Sequence, residues 1–104
     1  MIMTSTQAFT TQLHEQANYN KSGVQRQVLV KNDQAQFSLV CLTAGTSIPE
    51  HSTPRNVSVT IIEGSGSLTL AGQEIALQPG VFVYIPAKAP HSLRALENLA
   101  FLHT

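Results

Sequence analysis

Residues 45–64 and 80–91 decide the fold, and they read GTSIPEHSTPRNVSVTIIEG and GVFVYIPAKAPH. Each stretch joins a short run rich in Val and Ile to Gly and Pro, and each contains one histidine, His51 or His91. Short β-branched and aromatic runs closed by Gly and Pro are typical of strands in sandwiches and barrels. The two stretches therefore predict strands of a small β-barrel, with both histidines at its inner face.

The same pattern continues along the chain from Val24 onward. It predicts strands over residues 24–30, 36–42, 56–62, 67–70, 73–77, 81–85, 91–95 and 99–103. Turns are expected at residues 31–33, 71–72 and 78–80, where Asn, Asp, Gly and Pro are concentrated. One short helical turn is expected around residues 12–16. The fold class is therefore all-β.

Alternation within the predicted strands assigns their faces. Val57, Val59 and Ile61 alternate with more polar neighbours, so they are expected to face the barrel interior. Strand 36–42 is apolar on both faces and requires a second cover, for which another copy of the chain is the expected source, giving a homodimer. Phe82 and Tyr84 share a face and are expected in the core or at the dimer contact.

Composition limits the class of protein. The chain has 104 residues and a formal net charge of zero, which predicts one domain, residues 23–104, preceded by a polar N-terminal arm, residues 1–22. The weak charge argues against nucleic-acid and membrane partners and favours a small molecule. Cys41 is the only cysteine, and the sequence starts without a signal-peptide pattern. We therefore expect a soluble, cytoplasmic protein.

The two stretches together resemble the paired motifs of the cupin superfamily, in particular its small single-domain members. The first motif is Gly, five residues, His, one residue, His, three or four residues, Glu, six residues, Gly. Gly45, His51 and Gly64 match it, whereas Thr53 and Val57 occupy the positions of the second His and the Glu. The resemblance covers residues from 24 to the C-terminus.

The second motif is Gly, five residues, Pro, one residue, Gly, two residues, His, three residues, Asn. Gly80, Pro86 and His91 match it, whereas Lys88 and Ala95 replace the Gly and the Asn. The resemblance implies a double-stranded β-helix, or jelly-roll, barrel. It also implies an incomplete metal-ligand set, because only His51 and His91 remain of the four ligand positions.

The resemblance places His51 and His91 where a cupin holds a divalent transition metal such as Zn, Fe, Ni or Mn. Two histidines make a weak site, so a third ligand is needed. His103 on the last predicted strand is the best candidate, provided that it points inward. The alternative is a metal-free pocket in which the histidines hydrogen-bond to each other, to water or to Thr53. The other pocket candidates are Thr53, Val57, Val59, Ile61, Leu93 and Arg55.

Two classes of function remain open, besides a purely structural protein, against which the inward-pointing histidine pair argues. The first is a binding module whose apolar pocket recognises a small molecule beside His51 and His91. The second is a metal-dependent dioxygenase or isomerase acting on a small organic substrate. Arg55 and Lys88 lie in predicted loops near the barrel mouth, where they either hold a ligand carboxylate or phosphate or remain solvated surface charges. The sequence favours the binding module because the lost ligand positions became Thr and Val.

Overall fold

The computed structural model describes residues 8–104, which form one short helix and nine strands. The helix is α1 (Leu13–Gln16), and no helix in this part of the chain is long and apolar enough to cross a membrane. The strands are β1 (Val24–Lys31), β2 (Gln36–Leu42), β3 (Ser47–His51), β4 (Val57–Glu63), β5 (Gly66–Leu70), β6 (Gln73–Leu77), β7 (Phe82–Ile85), β8 (His91–Ala95) and β9 (Leu99–His103). The eight predicted strands and the helical turn are confirmed to within one residue at each end.

Two antiparallel sheets enclose the core. The larger sheet has the order β1-β2-β9-β4-β7, and the smaller has the order β3-β8-β5-β6. All seven strand pairings are antiparallel. The predicted all-β class is therefore confirmed, but the strands form two hydrogen-bonded sheets instead of one closed ladder. The apolar faces of the two sheets pack on each other and bury the core, so the hydrogen-bonded strands need not close into a single barrel, as in double-sheet jelly rolls.

Strand β3 is the element that the sequence pattern did not predict. Its five residues include Pro49, and its side chains are mostly exposed. A proline cannot donate to a strand ladder, so it argues against a central strand. Because β3 lies at the edge of the smaller sheet, only one of its sides is paired. The register with β8 shifts between Ile48 and His51, where Pro49 interrupts the pairing.

The main core lies between the sheets. Val57, Val59 and Ile61 are all at most 5% exposed and belong to this cluster, as their alternation predicted. Phe101 and Leu99 enter it from β9. The inward face of the larger sheet is thus apolar along most of its length, and polar side chains stand out where they interrupt it.

A second, smaller cluster covers the outer face of the larger sheet. Leu39 and Cys41 of β2 are buried there, and Leu13 and Tyr19 of the N-terminal segment pack against the cluster. The Tyr19 hydroxyl also donates a hydrogen bond of 2.7 Å to Glu63 Oε2. The second cover that strand β2 requires is therefore supplied by the chain itself, so this strand no longer argues for a dimer.

Phe82 and Tyr84 project outward from β7, which lies at the free edge of the larger sheet. They are 62% and 53% exposed, whereas Val83 and Ile85 between and after them are buried. The prediction that the two aromatic rings enter the core is therefore wrong. Their alternative place, a contact between two copies, remains a prediction.

Candidate functional site

His51 and His91 lie side by side on neighbouring strands of the smaller sheet. The register of β3 and β8 sets them opposite each other, and their ring centroids are 4.2 Å apart with the planes inclined by 57°. His91 is only 8% exposed, whereas His51 is exposed. Two histidines that are forty residues apart in sequence thus form one pair, with His51 on its solvent side.

Both imidazoles are held in the same way. His51 Nδ1 lies 3.0 Å from the Pro49 carbonyl oxygen, and His91 Nδ1 lies 2.9 Å from the Ala89 carbonyl oxygen. A carbonyl oxygen only accepts, so each Nδ1–H is the donor. In the neutral form of each ring, Nε2 then keeps its lone pair. The pair therefore offers two acceptor nitrogens whose tautomers are fixed by the backbone.

His103 points inward from β9. It shares the strand parity of Phe101 and Leu99, which belong to the main core, and it is opposite Val59 of β4. Burial lowers the pKa of His103 from 6.5 to about 4, and electrostatic repulsion from Arg26 and the other basic groups around it acts in the same direction. His103 is therefore uncharged at neutral pH.

All three imidazoles border one cavity of about 110 Å³, which we call the inner chamber. Its other walls are almost entirely aliphatic or aromatic, and among the lining residues within 8–104 Arg26 is the only other polar one. The residues that line the inner chamber are Val24, Arg26, Val40, Ile48, His51, Val59, Leu68, Ile85, His91, Leu93, Phe101 and His103. The arrangement is that of a small-molecule site, with apolar walls and a few placed polar groups.

A wider cavity of about 570 Å³, which we call the outer groove, adjoins the inner chamber. It is lined by Arg26, Gln34, Ala35, Gln36, Arg55, Asn56, Val57, Ser58, Phe82, Tyr84, His103 and Thr104. Arg26 and His103 belong to both linings and mark the junction. The combined cavity is therefore rich in nitrogen donors, and no acidic side chain is among its lining residues within the described range 8–104.

The structure brings together most of the pocket residues that the sequence indicated. Val59 and Leu93 line the inner chamber, and Arg55 and Val57 line the outer groove. Ile61 lies deeper, in the main core, and lines neither cavity.

Thr53 lies outside both linings and connects two loops. Its hydroxyl donates to the Arg55 carbonyl oxygen at 3.0 Å, and its own carbonyl oxygen accepts from the Lys88 N–H at 2.7 Å. Lys88 has a φ of 70°, a conformation that favours glycine, and it occupies the position at which the second motif has Gly. The loop therefore has the left-handed backbone that suits the Gly of the motif, although Lys88 occupies the position in this chain.

Arg26 is the functional candidate that the sequence analysis missed. The sequence pattern predicts strand β1 but indicates no role for Arg26 within it. The available signal was its parity, because Arg26 shares a face with Val24 and Val28. A long cationic side chain on an otherwise aliphatic strand face is unusual unless it reaches solvent or a ligand.

A resident metal would need more ligands than the histidine pair supplies. Catalytic zinc sites use three protein ligands, and non-haem iron sites use two His and one carboxylate. Within residues 8–104, no three His, Cys, Asp or Glu side chains form a group that could hold a metal ion. His103 borders the same chamber as the pair without completing such a group. The residues present therefore do not fit a divalent metal held by this chain alone.

Known proteins share this architecture. The family model of the cupin domain matches residues 38–103. A conserved protein of unknown function from Streptococcus pyogenes superposes with a TM-score of 0.81 at 25% identity, covering 93% of this chain and 85% of its own. A cupin superfamily protein from Desulfitobacterium hafniense superposes with a TM-score of 0.74 at 25% identity, covering 84% and 78%. No curated protein matches the chain in sequence.

An enzyme is also among the structural relatives. A salicylate 1,2-dioxygenase from Pseudaminobacter salicylatoxidans superposes with a TM-score of 0.63 at 22% identity. The alignment covers 65% of this chain but only 20% of the dioxygenase. A likeness at this identity concerns the fold, which hosts many functions.

Proposed function

Because this chain belongs to the cupin domain family, we propose that it is a binding module that holds a small organic molecule in the inner chamber beside His51 and His91. The observation that carries the proposal is the chamber itself, where three imidazoles face aliphatic walls in a volume of about 110 Å³. Apolar walls contribute affinity by desolvation, and the two Nε2 atoms add a hydrogen bond where the ligand carries a hydroxyl or N–H.

The proposal is tested by following the four imidazoles individually. We expect small hydroxyl- or amine-bearing compounds to shift the NMR signals of His51, His91 and His103 but not those of His14, which is exposed on α1. The variant His91→Gln should lose the shifts and remain folded, and His14→Gln is the matched control. Compounds that bind equally well to His91→Gln, or a library without any compound that shifts these signals, would contradict the proposal.

A metal-dependent oxygenase or isomerase is the second candidate function. One observation favours it: each Nδ1–H donates to a backbone carbonyl, which is how metal-bound histidines are usually oriented. His51 and His91 would then be two of the ligands, and a further ligand would have to come from outside this chain, such as the substrate. Elemental analysis of the untagged protein separates the two candidates, because a binding module retains no stoichiometric transition metal after mild chelation.

We also propose that the domain acts as a homodimer. The support is the edge strand β7, which carries the exposed rings of Phe82 and Tyr84. Exposed edge strands with apolar side chains tend to pair with another chain.

A further inference from the structure

We infer that the ligand of this cavity is a small carboxylic acid, bound with its carboxylate at Arg26 and Arg55 and its short aliphatic part in the inner chamber. This inference rests on the proposed binding function and adds the chemical class of the ligand. It follows from the junction of the two cavities, where the polar and the apolar parts of the site meet.

The charge of the walls selects an anion. Arg26 and Arg55 both line the outer groove, and in the described part of the chain no Asp or Glu side chain is among the residues that line either cavity. A guanidinium binds a carboxylate through two parallel hydrogen bonds, and the outer groove carries two such groups, both exposed to an incoming ligand. Asn56 borders the same groove, and because its Oδ1 accepts from the Ala87 N–H, its NH₂ group is the part that can donate to an anion.

The lowered pKa of His103, which lines both cavities, is further evidence of a positive electrostatic potential at their junction. Besides burial, the groups that lower its pKa are Arg26, His91, Arg55 and His51, all of which are cationic when charged. An anion placed at the junction would lie among these groups. The uncharged His103 ring can then offer either an N–H donor or a lone pair to the ligand.

The volume of the inner chamber limits the rest of the molecule. At about 110 Å³ the chamber is smaller than an apolar cavity of about 150 Å³ that accommodates benzene. It therefore suits a branched aliphatic group of about four carbon atoms. A ligand of this size reaches from the chamber to Arg26, since Arg26 lines the chamber as well as the groove.

The test compares three probes of nearly equal shape: 3-methylbutanoate, 3-methylbutanamide and 3-methylbutan-1-ol. Binding is measured by titration with the imidazole NMR signals as the readout. We expect the carboxylate to bind at least about ten-fold more tightly than the amide or the alcohol, as for a charge-assisted hydrogen bond. The carboxylate affinity should also weaken as NaCl is added.

Variants locate the anion. Arg26→Gln and Arg55→Gln should each weaken carboxylate binding by about ten-fold and leave amide binding unchanged. The matched control is Arg94→Gln, because Arg94 is exposed on β8 and lines neither cavity. Equal binding of carboxylate and amide would overturn the inference while leaving the proposed binding function intact. Binding of none of the three probes would overturn the inference and count against the binding function as well.

Discussion

At the scale of single residues, Gly64 is the most constrained position of the first motif. Its φ is +89°, and an added Cβ would collide with the backbone of Asn98 and Leu99. The chain thus passes so close to the start of β9 that no side chain fits. The glycine that the motif specifies is required here by two independent causes, the left-handed backbone and the close approach.

We predict that Gly64→Ala lowers the free energy of unfolding by at least about 3 kcal/mol, the sum of left-handed strain and overpacking. Gly80→Ala is the matched control, because Gly80 has a φ of +91° with no atom near the added Cβ. That variant should lose only about 1 kcal/mol. Urea unfolding of the two variants measures the difference, and equal losses would show that the close approach is unimportant.

His103 makes stability depend on pH. The unfolded chain protonates this residue near pH 6.5, whereas the folded protein does so only near pH 4. Between these values the unfolded state binds more protons, so the free energy of unfolding falls as the pH drops from about 6.5 to about 4. Partial exposure reduces the expected loss to about 2 kcal/mol.

The variant His103→Gln isolates this effect, since glutamine does not titrate. Its free energy of unfolding should change less than that of the wild type between neutral pH and pH 4.5, measured by urea unfolding with a chelator present. Identical pH dependence of the two proteins would mean that His103 titrates normally in the folded state.

At the scale of elements, the strand pattern could be predicted from the sequence, whereas the meeting of distant side chains could not. Alternation located β4 and its inward residues because one face is buried and the other is not. It failed for β3, where Pro49 and exposed side chains hide an edge strand. The pairing of His51 with His91 depends on the register of two strands that are distant in sequence. The side of His103 could not be predicted because β9 is apolar on both faces up to Leu102, so no alternation marks its inward residues.

The hairpin between β5 and β6 contains a residue that its turn does not favour. Ala71 and Gly72 are the two central residues, with φ values of 48° and 85°, which is the pattern of a type I′ turn. Such turns prefer Asn followed by Gly, because Asn tolerates the left-handed region better than Ala.

Ala71→Asn should therefore raise the free energy of unfolding by about 0.5–1 kcal/mol. Ala44→Asn is the control, since Ala44 is also exposed but is not among the positive-φ residues. Thermal unfolding of both variants would reveal the difference. A gain in both, or in neither, would mean that the backbone of the turn does not limit stability.

At the scale of the whole molecule, the N-terminal segment and the edge strand β7 determine which surfaces remain available for association. Leu13 and Tyr19 cover the outer face of the larger sheet. The apolar residues on both faces of β2 correctly predicted that its outer face is buried. They could not show what buries it, because a second subunit and the N-terminal segment of the same chain would require the same apolar pattern. On that sheet, the exposed rings of β7 are the aromatic surface that argues for a second copy.

We predict that the protein elutes as a dimer on size exclusion at micromolar concentration and that Phe82→Glu converts it to a monomer, because a charge at the contact would be desolvated. Leu96→Glu is the matched control, since Leu96 is 61% exposed, close to the 62% of Phe82, but lies outside the strands. A monomeric wild type would refute the dimer, and a dimeric Phe82→Glu variant would place the contact elsewhere.

The N-terminal segment covers Cys41, so the reaction rate of this thiol reports local opening of the segment. Cys41 is 5% exposed, and its pKa is raised by burial, so a thiol reagent reacts only when the segment lifts away. The labelling rate then counts how often residues near Tyr19 detach without global unfolding. Tyr19→Phe loses the hydrogen bond to Glu63. We expect it to raise the Cys41 labelling rate by the factor that corresponds to the free energy of one hydrogen bond.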